Sequence, residues 1–305
     1  MDKIFDPQTL ADDLYEVGRI YAEYFAGLDD TSWDKPAKGG PSEWTLHETI
    51  AHLTAFHGAG LESIRHALRG EPYTFDGFDT RYDLNAYNRK GIDSLLGLSM
   101  EALFTKFLDI HDEAARVALD LRRDQMGLTS TLAAYNRPAT IVETLGIITL
   151  HAGLIHSAQA AEPAGVPPLW MQLSPEIRHR LIGRGMRAFS LLYRFDIGGP
   201  LRNSLAFRVD GPGGGEWYVK FSPKAATSGE GVIDDPGLVI RLRDTNVFCQ
   251  MLTGRFNLPI GLIKGRMKLR GDLRLFLRMN TLFSVDARPK GEMLARTVLA
   301  SESLQ

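Results

Sequence analysis

The sequence AEPAGVPPLW, at residues 161–170, divides the chain into two parts of different character. Three prolines and a glycine within ten residues cannot continue a helix, because proline lacks a backbone N–H and its ring clashes with the preceding turn. The chain has 305 residues, more than one compact core usually covers. We therefore expect two domains, over residues 1–162 and 173–290, joined by a linker at 163–172 and followed by a C-terminal tail at 291–305.

Before the linker, the pattern predicts an all-α four-helix bundle. Apolar residues recur at three- and four-residue spacings in several segments of about twenty residues, which is typical of amphipathic helices. Thr45-Leu46-His47-Glu48 also fits a capping box at a helix start. Short connections between such helices favour a bundle. The predicted helices cover residues 8–28, 45–69, 99–122 and 138–161.

After the linker, the pattern predicts an α+β domain. A helix over about 174–192 is followed by alternating residues such as Leu205, Phe207 and Val209, then by the loop DGPGGGE at 210–216. Such alternation on both sides of a glycine-rich loop indicates a β-hairpin. Further strands and helices follow in mixed order, so we expect helices that cover one mixed sheet.

The net charge of −2 conceals two oppositely charged halves. Residues 1–165 carry 14 Lys and Arg against 25 Asp and Glu, whereas residues 166–305 carry 21 against 12. Such halves either dock with each other or meet different partners. There is no run of about 18 apolar residues and no signal-peptide pattern, so we expect a cytoplasmic protein without a membrane span. The single cysteine, Cys249, excludes an internal disulfide and a multi-cysteine zinc site.

Two motifs in the first half carry a family resemblance. Trp44-Thr45-x-x-Glu48-x-x-x-His52-Leu53 resembles the second-helix signature of the DinB-like helical bundles. His156-Ser-Ala-Gln159 is similar to their fourth-helix His-x-x-Gln. This superfamily includes the N-terminal domain of the mycothiol-dependent maleylpyruvate isomerases, so the resemblance implies a four-helix bundle with a site for a divalent metal.

The second half resembles the sterol carrier protein 2 fold over about residues 175–285. A strand, a helix, a Lys-Gly turn and a final strand-to-helix junction follow one another in that family's order. The resemblance implies a domain that holds a lipid between its sheet and the covering helices. The two-domain arrangement also resembles the maleylpyruvate isomerase group. The matching residues are Leu238, Ile240, Leu242, Phe248, Leu252, Gly254, Lys264, Gly265, Leu269, Gly271, Asp272 and Leu273.

The DinB resemblance implies a metal, with zinc the first candidate, held by one histidine of helix 2 and two ligands of helix 4. His52 and His156 match two of these positions. Ala152 occupies the third, four residues before His156, and cannot bind a metal. His151 lies five residues before His156, which turns its side chain about 140° around an α-helix. One site would then take both histidines only after a local distortion such as a π-bulge.

Other interpretations of these residues stay open. Glu48 faces the same way as His52 and would complete a two-histidine, one-carboxylate zinc site, or it serves only the capping box. His52 and His156 either hold a metal or form a hydrogen-bonded polar pair inside the bundle. His47 and His57 each lie five residues from His52, and we expect them on the surface.

A metal with an open coordination position would lower the pKa of a bound low-molecular-weight thiol and produce a thiolate nucleophile. The resemblance to the maleylpyruvate isomerase group implies that such a thiolate would serve an isomerase or a transferase. We do not expect Cys249 to replace that thiol, because it lies between Phe248 and Met251 on an apolar helix, where a buried free cysteine is the ordinary case.

Apolar residues of two further predicted helices, at residues 244–254 and 272–284, are candidates for contact with a hydrophobic ligand, such as a fatty acyl chain or a sterol-like molecule. The same residues would serve equally well as a packed core, so both interpretations stay open. The candidates are Phe248, Met251, Leu252, Leu273, Phe276, Leu277, Leu282 and Phe283.

A cluster of basic residues in the second half is a candidate site for an anionic head group, a coenzyme A phosphate or a membrane surface. The acidic helical half is an alternative partner. We do not expect nucleic acid, because no aromatic platform or reading helix accompanies the cluster. Its members are Arg266, Lys268, Arg270, Arg274 and Arg278.

The sequence therefore leaves three hypotheses. The first is a lipid-binding or lipid-presenting protein with a helical partner domain. The second is a metal- and thiol-dependent isomerase or transferase, and the third is a scaffold in which neither site operates.

Overall fold

The described residues form two compact units that divide between Gln172 and Leu173. The structure is a computed structural model. It confirms the predicted order, in which an all-α region precedes an α+β domain with a mixed sheet. It describes residues 3–25, 28–37, 44–73, 84–132, 138–161, 164–194, 203–223 and 225–283.

The first unit is helical, with long helices close to their predicted positions. A two-stranded sheet of β1 and β2 connects α4 to α5, and a short helix, α3, lies in the polar stretch where none was predicted. The elements are α1 (Pro7–Phe25), α2 (Leu46–Arg69), α3 (Leu84–Asp93), α4 (Met100–Asp120), β1 (Thr129–Ser130), β2 (Ala139–Thr140), α5 (Ile141–Leu150), a π-helical turn (His151–His156) and α6 (Ser157–Ala161).

Helix α2 begins at the predicted capping box. The Thr45 hydroxyl accepts a hydrogen bond from the Glu48 backbone N–H at 3.1 Å, and the Glu48 carboxylate accepts one from the Thr45 backbone N–H at 2.9 Å. The helix ends at Gly70, whose φ of 70° is left-handed and suits glycine. These two ends define the extent of α2, and hence the position of His52 along the helix axis.

The last helical stretch of this unit, Ile141–Ala161, has the length and the apolar composition of a helix that could cross a membrane. It is, however, largely buried inside the unit, as expected of the central helix of a bundle. The 3₁₀ turn Leu169–Met171, within the predicted linker, also buries Leu169 and Trp170.

The second unit contains one five-stranded mixed sheet in the order β5-β4-β3-β6-β7. Strands β3 and β6 are parallel, and the other neighbouring pairs are antiparallel. The elements are α7 (Pro175–Leu192), β3 (Ser204–Val209), β4 (Gly215–Phe221), β5 (Ala226–Glu230), β6 (Leu238–Leu242), α8 (Thr245–Leu252), α9 (Leu258–Ile263), β7 (Met267–Gly271) and α10 (Leu273–Leu282).

The predicted hairpin is confirmed, with Phe207 of β3 opposite Trp217 of β4. Its loop contains Gly213, with a φ of 76°, where an added Cβ would lie 2.6 Å from the Pro175 carbonyl oxygen. One face of the sheet packs against side chains of α7, α8 and α10, so the alternating apolar residues of the strands form a single core with these helices.

Candidate functional site

Three histidines of the helical unit point their ring nitrogens at a common point. The Nε2 atom of His151 lies 3.4 Å from Nε2 of His52 and 2.9 Å from Nε2 of His156. One nitrogen from each ring lies within 4.8 Å of the others. His52 and His156 are buried, and His151 is half-buried. We call this group the histidine triad.

The triad exists because the chain is π-helical at this position. His151–His156 is a π-helical turn between α5 and α6. A π-helix is hydrogen-bonded from i to i+5, so residues five apart lie about one turn apart on the same face. This is the distortion that the sequence required for His151 and His156 to share one site.

Gln159 fixes the orientation of the His156 ring through the ring nitrogen that faces away from the triad. The His156 Nδ1–H donates to the Gln159 side-chain oxygen at 2.6 Å, so the lone pair of His156 lies on Nε2 and faces the triad. The residues are three apart, the spacing at which helical side chains meet. The His-x-x-Gln motif thus couples a candidate ligand to its own hydrogen-bond acceptor.

Aromatic rings enclose the triad. The ring of Trp44 lies 4.7 Å from that of His52, and the ring of Phe56 lies 4.7 Å from that of His151, centroid to centroid. Burial lowers the pKa of His52 and of His151 well below the ordinary value, and that of His156 to about 4. The three imidazoles are therefore neutral at physiological pH, which is the protonation state that binds metals.

The donor set fits zinc. With Zn–N distances of about 2.1 Å, two ligands of a tetrahedral zinc lie roughly 3.4 Å apart, and two of the nitrogen pairs in the triad are separated by 3.4 Å and 2.9 Å. Three histidine nitrogens leave one tetrahedral position open, as in catalytic zinc sites. The carboxylate of Glu48 lies outside the group: it caps α2 and pairs with Arg89 at 2.6 Å.

The prediction that His57 lies on the surface is wrong. It is completely buried, and its Nε2 atom lies 3.2 Å from Nδ1 of His151. A further buried histidine, His111, lies beside it with the rings 5.3 Å apart. No sequence pattern marks either burial, and the fifth position after His52 faces inward only because α4 packs against α2 there. His47 is partly exposed.

A cavity of about 710 Å³ lies beside His52 in the helical unit. Its walls come from α2, α3 and α4, and they combine apolar side chains such as Leu61 and Ile110 with charged ones such as Arg65 and Glu113. The volume lies within the range of ordinary small-molecule sites.

The α+β unit contains a second cavity, of about 450 Å³, which we call the apolar cavity. Ten of its eleven described lining residues are apolar, and three of these are methionines, whose flexible side chains adapt to irregular ligands. The lining residues are Phe189, Met251, Leu252, Phe256, Leu258, Met267, Phe276, Leu277, Met279, Asn280 and Phe283.

Five of the eight predicted ligand-contact residues line this cavity: Met251, Leu252, Phe276, Leu277 and Phe283. The other three do not. Phe248 and Leu282 are fully buried in the core, and Leu273 is 54% exposed at the start of α10. An apolar helical pattern therefore predicts most of the residues that line the cavity, but it does not distinguish them from core or surface residues of the same helices.

This separation predicts opposite effects of two alanine substitutions. We expect Phe248→Ala to lower the free energy of unfolding by about 3–5 kcal/mol, because it leaves a void in a packed core. Leu273→Ala should change it by less than about 0.5 kcal/mol, as surface substitutions usually do. Chemical denaturation of both variants measures this difference, and equal losses would contradict the assignment of Phe248 to the core.

Four of the five predicted basic residues are exposed: Lys268 and Arg270 on β7, and Arg274 and Arg278 on α10. Arg266 is half-buried and donates a hydrogen bond to the Gln250 side chain at 2.8 Å. Cys249 is buried as predicted, and burial raises the pKa of its thiol, which leaves it in the unreactive thiol form.

Each of the two units is similar to a known protein family. Residues 13–157 match the family profile of the DinB superfamily, and residues 199–284 match that of the SCP-2 sterol transfer family. The crystal structure of the mycothiol-dependent maleylpyruvate isomerase aligns with 84% of this chain and 93% of its own, with 15% identity and a TM-score of 0.54. A histidine-to-alanine mutant of that isomerase gives a TM-score of 0.53 at the same identity and coverage. At this identity, the likeness shows a shared fold.

Curated relatives match a smaller part of the chain. Hydroxysteroid dehydrogenase-like protein 2 of Homo sapiens is 22% identical over 114 residues, which are 37% of this chain and 27% of that protein. Its Bos taurus counterpart is 24% identical over 78 residues, which are 26% of this chain. The chain thus spans about a quarter or less of the length of these relatives. Residues 13–157 are thus similar to the DinB superfamily and residues 199–284 to the SCP-2 sterol transfer family.

Proposed function

We propose that the α+β unit binds a hydrophobic ligand of the size of a fatty acyl chain or a sterol-like molecule. The apolar cavity carries this proposal, since it supplies about 450 Å³ of space walled almost entirely by apolar side chains. Burial of one methylene group contributes about 0.8 kcal/mol, so ten buried methylenes contribute about 8 kcal/mol, which corresponds to roughly micromolar affinity. The match to the SCP-2 sterol transfer family supports the same ligand class.

The ligand carries an anionic group at one end. Leu277 lines the apolar cavity and is 78% exposed, so it lies at the mouth. Arg274 is exposed three residues earlier on α10 and therefore faces the same side of that helix. A carboxylate or phosphate at the mouth would meet this guanidinium, while the apolar tail fills the cavity.

Binding of matched single-chain lipids tests this proposal. We expect a C16 fatty acid to bind with micromolar affinity, and the fatty alcohol of the same length to bind about 3- to 10-fold more weakly because it lacks the charge that pairs with Arg274. Native mass spectrometry detects the complex, and displacement of a fluorescent fatty acid gives the affinities. If neither compound binds, the apolar cavity is not a ligand site. If both bind equally, the assignment of Arg274 is wrong.

We further propose that the helical unit holds zinc at His52, His151 and His156 and supports a thiol-dependent isomerase or transferase reaction. The convergence of three neutral, partnered imidazoles favours this second function. When bound, zinc would supply Lewis acidity and lower the pKa of a thiol at its open position. Similarity of fold to the mycothiol-dependent maleylpyruvate isomerase supports the reaction class.

The protein's own residues have separate parts in such a site. Gln159 keeps the His156 lone pair directed inward, and Trp44 and Phe56 restrict water around the triad. The 710 Å³ cavity beside His52 gives space for an organic substrate. Zinc content, measured by mass spectrometry of the metal in purified protein, tests the site: we expect one zinc per chain, and protein that remains free of zinc after dialysis against it would contradict the proposal.

A further inference from the structure

A second layer of histidine lies behind the triad. The Nε2 atom of His57 is 3.2 Å from Nδ1 of His151, on the side of the ring that faces away from His52 and His156. His57 is fully buried beside the ring of Phe107, with 6.1 Å between centroids. The contact therefore joins two imidazoles in apolar surroundings, where a hydrogen bond is strong and a missing one is costly.

The hydrogen bonds determine where the protons lie without a metal. His156 uses its Nδ1–H for Gln159, so its Nε2 atom accepts. The 2.9 Å contact between the Nε2 atoms of His151 and His156 then requires a proton on Nε2 of His151. Neutral His151 consequently has a bare Nδ1, which accepts a hydrogen bond from the Nε2–H of His57.

A metal bound to Nε2 of His151 requires the opposite arrangement. The proton of His151 must then lie on Nδ1, and it needs an acceptor. We propose that His57 is a positioning residue that supplies this acceptor at Nε2, and that His57 and His151 exchange tautomers together when the metal binds. Each ring keeps one proton throughout, so the exchange itself neither takes up nor releases protons. This inference rests on the metal site proposed above.

His57 is suited to this exchange because only one of its ring nitrogens is committed. Its Nδ1 atom is buried and has no hydrogen-bond partner among the described residues, so that atom carries the proton in one state and none in the other. Its Nε2 atom is the one that contacts His151, so loss of the proton from that nitrogen leaves a lone pair directed at the His151 ring.

Zinc affinity of three variants tests the inference. His57→Phe fills the same space without an acceptor, and we expect zinc to bind about 10- to 100-fold more weakly, the usual effect of losing an outer-shell partner. His57→Gln retains an acceptor oxygen and should recover most of this loss. The control is His111→Phe, which changes a buried histidine hydrogen-bonded to the Leu14 carbonyl. Its zinc affinity should remain within about threefold of the parent protein.

Competition with a chromophoric chelator gives the affinities, and the visible spectrum of the cobalt-substituted protein reports the ligand geometry. Nitrogen-15 NMR of the parent protein should show His57 protonated at Nε2 without zinc and at Nδ1 with zinc, which keeps the inference testable if His57→Phe does not fold. Unchanged affinity and cobalt spectrum in His57→Phe, or unchanged tautomers, would overturn it. A parent protein that binds no zinc would instead refute the metal site itself.

Discussion

Replacing His151 with alanine is expected to abolish stoichiometric zinc binding. The Nε2 atom of His151 is the one that approaches both other members of the triad, at 3.4 Å and 2.9 Å. Two histidines would remain, with the space between them open to water. If a third of a binding free energy of about 10 kcal/mol is lost, affinity falls by more than about a hundredfold. Titration of zinc against a competing chelator measures this loss.

The matched control is His66→Ala, on the same helix as His52. His66 lies near the carboxylates of Glu62 and Glu71 and is not part of the triad. We expect this variant to bind zinc as the parent protein does. Retention of stoichiometric, tight zinc by His151→Ala would show that the triad is not the metal site, whereas loss in both variants would indicate non-specific damage to the bundle.

The position of His151 shows what helical spacing can predict and what it cannot. Spacing along a regular helix directs His151 about 140° away from His156, and the sequence indicates only that a π-bulge would remove the conflict. That His151–His156 is π-helical depends on packing within the bundle. No residue in the segment marks it, because there is no proline and the apolar pattern of α5 continues through it.

His57 illustrates a second limit. Helical periodicity gives the angle between side chains of one helix, and on that basis His57 faces away from His52. Whether that direction is solvent or protein depends on the neighbouring helix. Here α4 brings Phe107 and His111 against it, so the residue is buried and contacts His151 from the far side.

Local signals were sufficient for most of the fold. The capping box at Thr45 and Glu48 set the start of α2 to within a residue, and alternation in β3 and β4 gave the correct hairpin. Helix α3 was missed because it is polar on average, and α9 because it has only six residues, which include Pro259 and Gly261. Strand β5 was missed because ATSGE contains no apolar alternation, and only its pairing with β4 makes it a strand.

The sequence does not predict which apolar residues line the cavity and which belong to the core. Phe248, Met251 and Leu252 belong to one apolar helix, and an apolar residue gives the same signal whether it faces a neighbour or a void. The difference comes from packing against other elements: Phe248 packs into the core with Phe207 of β3, whereas Met251 and Leu252 line the apolar cavity. Volume inside a fold results from several elements together, so no single segment encodes it.

Filling the apolar cavity with tryptophan is expected to remove lipid binding while the fold is retained. Leu252 and Met279 both line the cavity, on α8 and α10. In the Leu252→Trp/Met279→Trp variant, the two indoles displace roughly four methylene groups of the ligand, which costs about 3 kcal/mol and a hundredfold in affinity. Because the indoles enter existing space instead of a packed core, the cost of overpacking should be small. Displacement of a fluorescent fatty acid gives the affinity, and thermal unfolding confirms that the domain remains folded.

The control for this variant is Val232→Trp, which adds an indole at a residue that is 65% exposed and does not line the cavity. It should bind the fatty acid as tightly as the parent protein, because added aromatic surface alone does not alter the cavity. A filled variant that is folded and still binds with parental affinity would show that the ligand lies elsewhere. Loss of binding in the filled variant together with retained zinc would show that the two sites operate independently, since zinc depends on residues of the helical unit and the lipid on residues of the sheet domain.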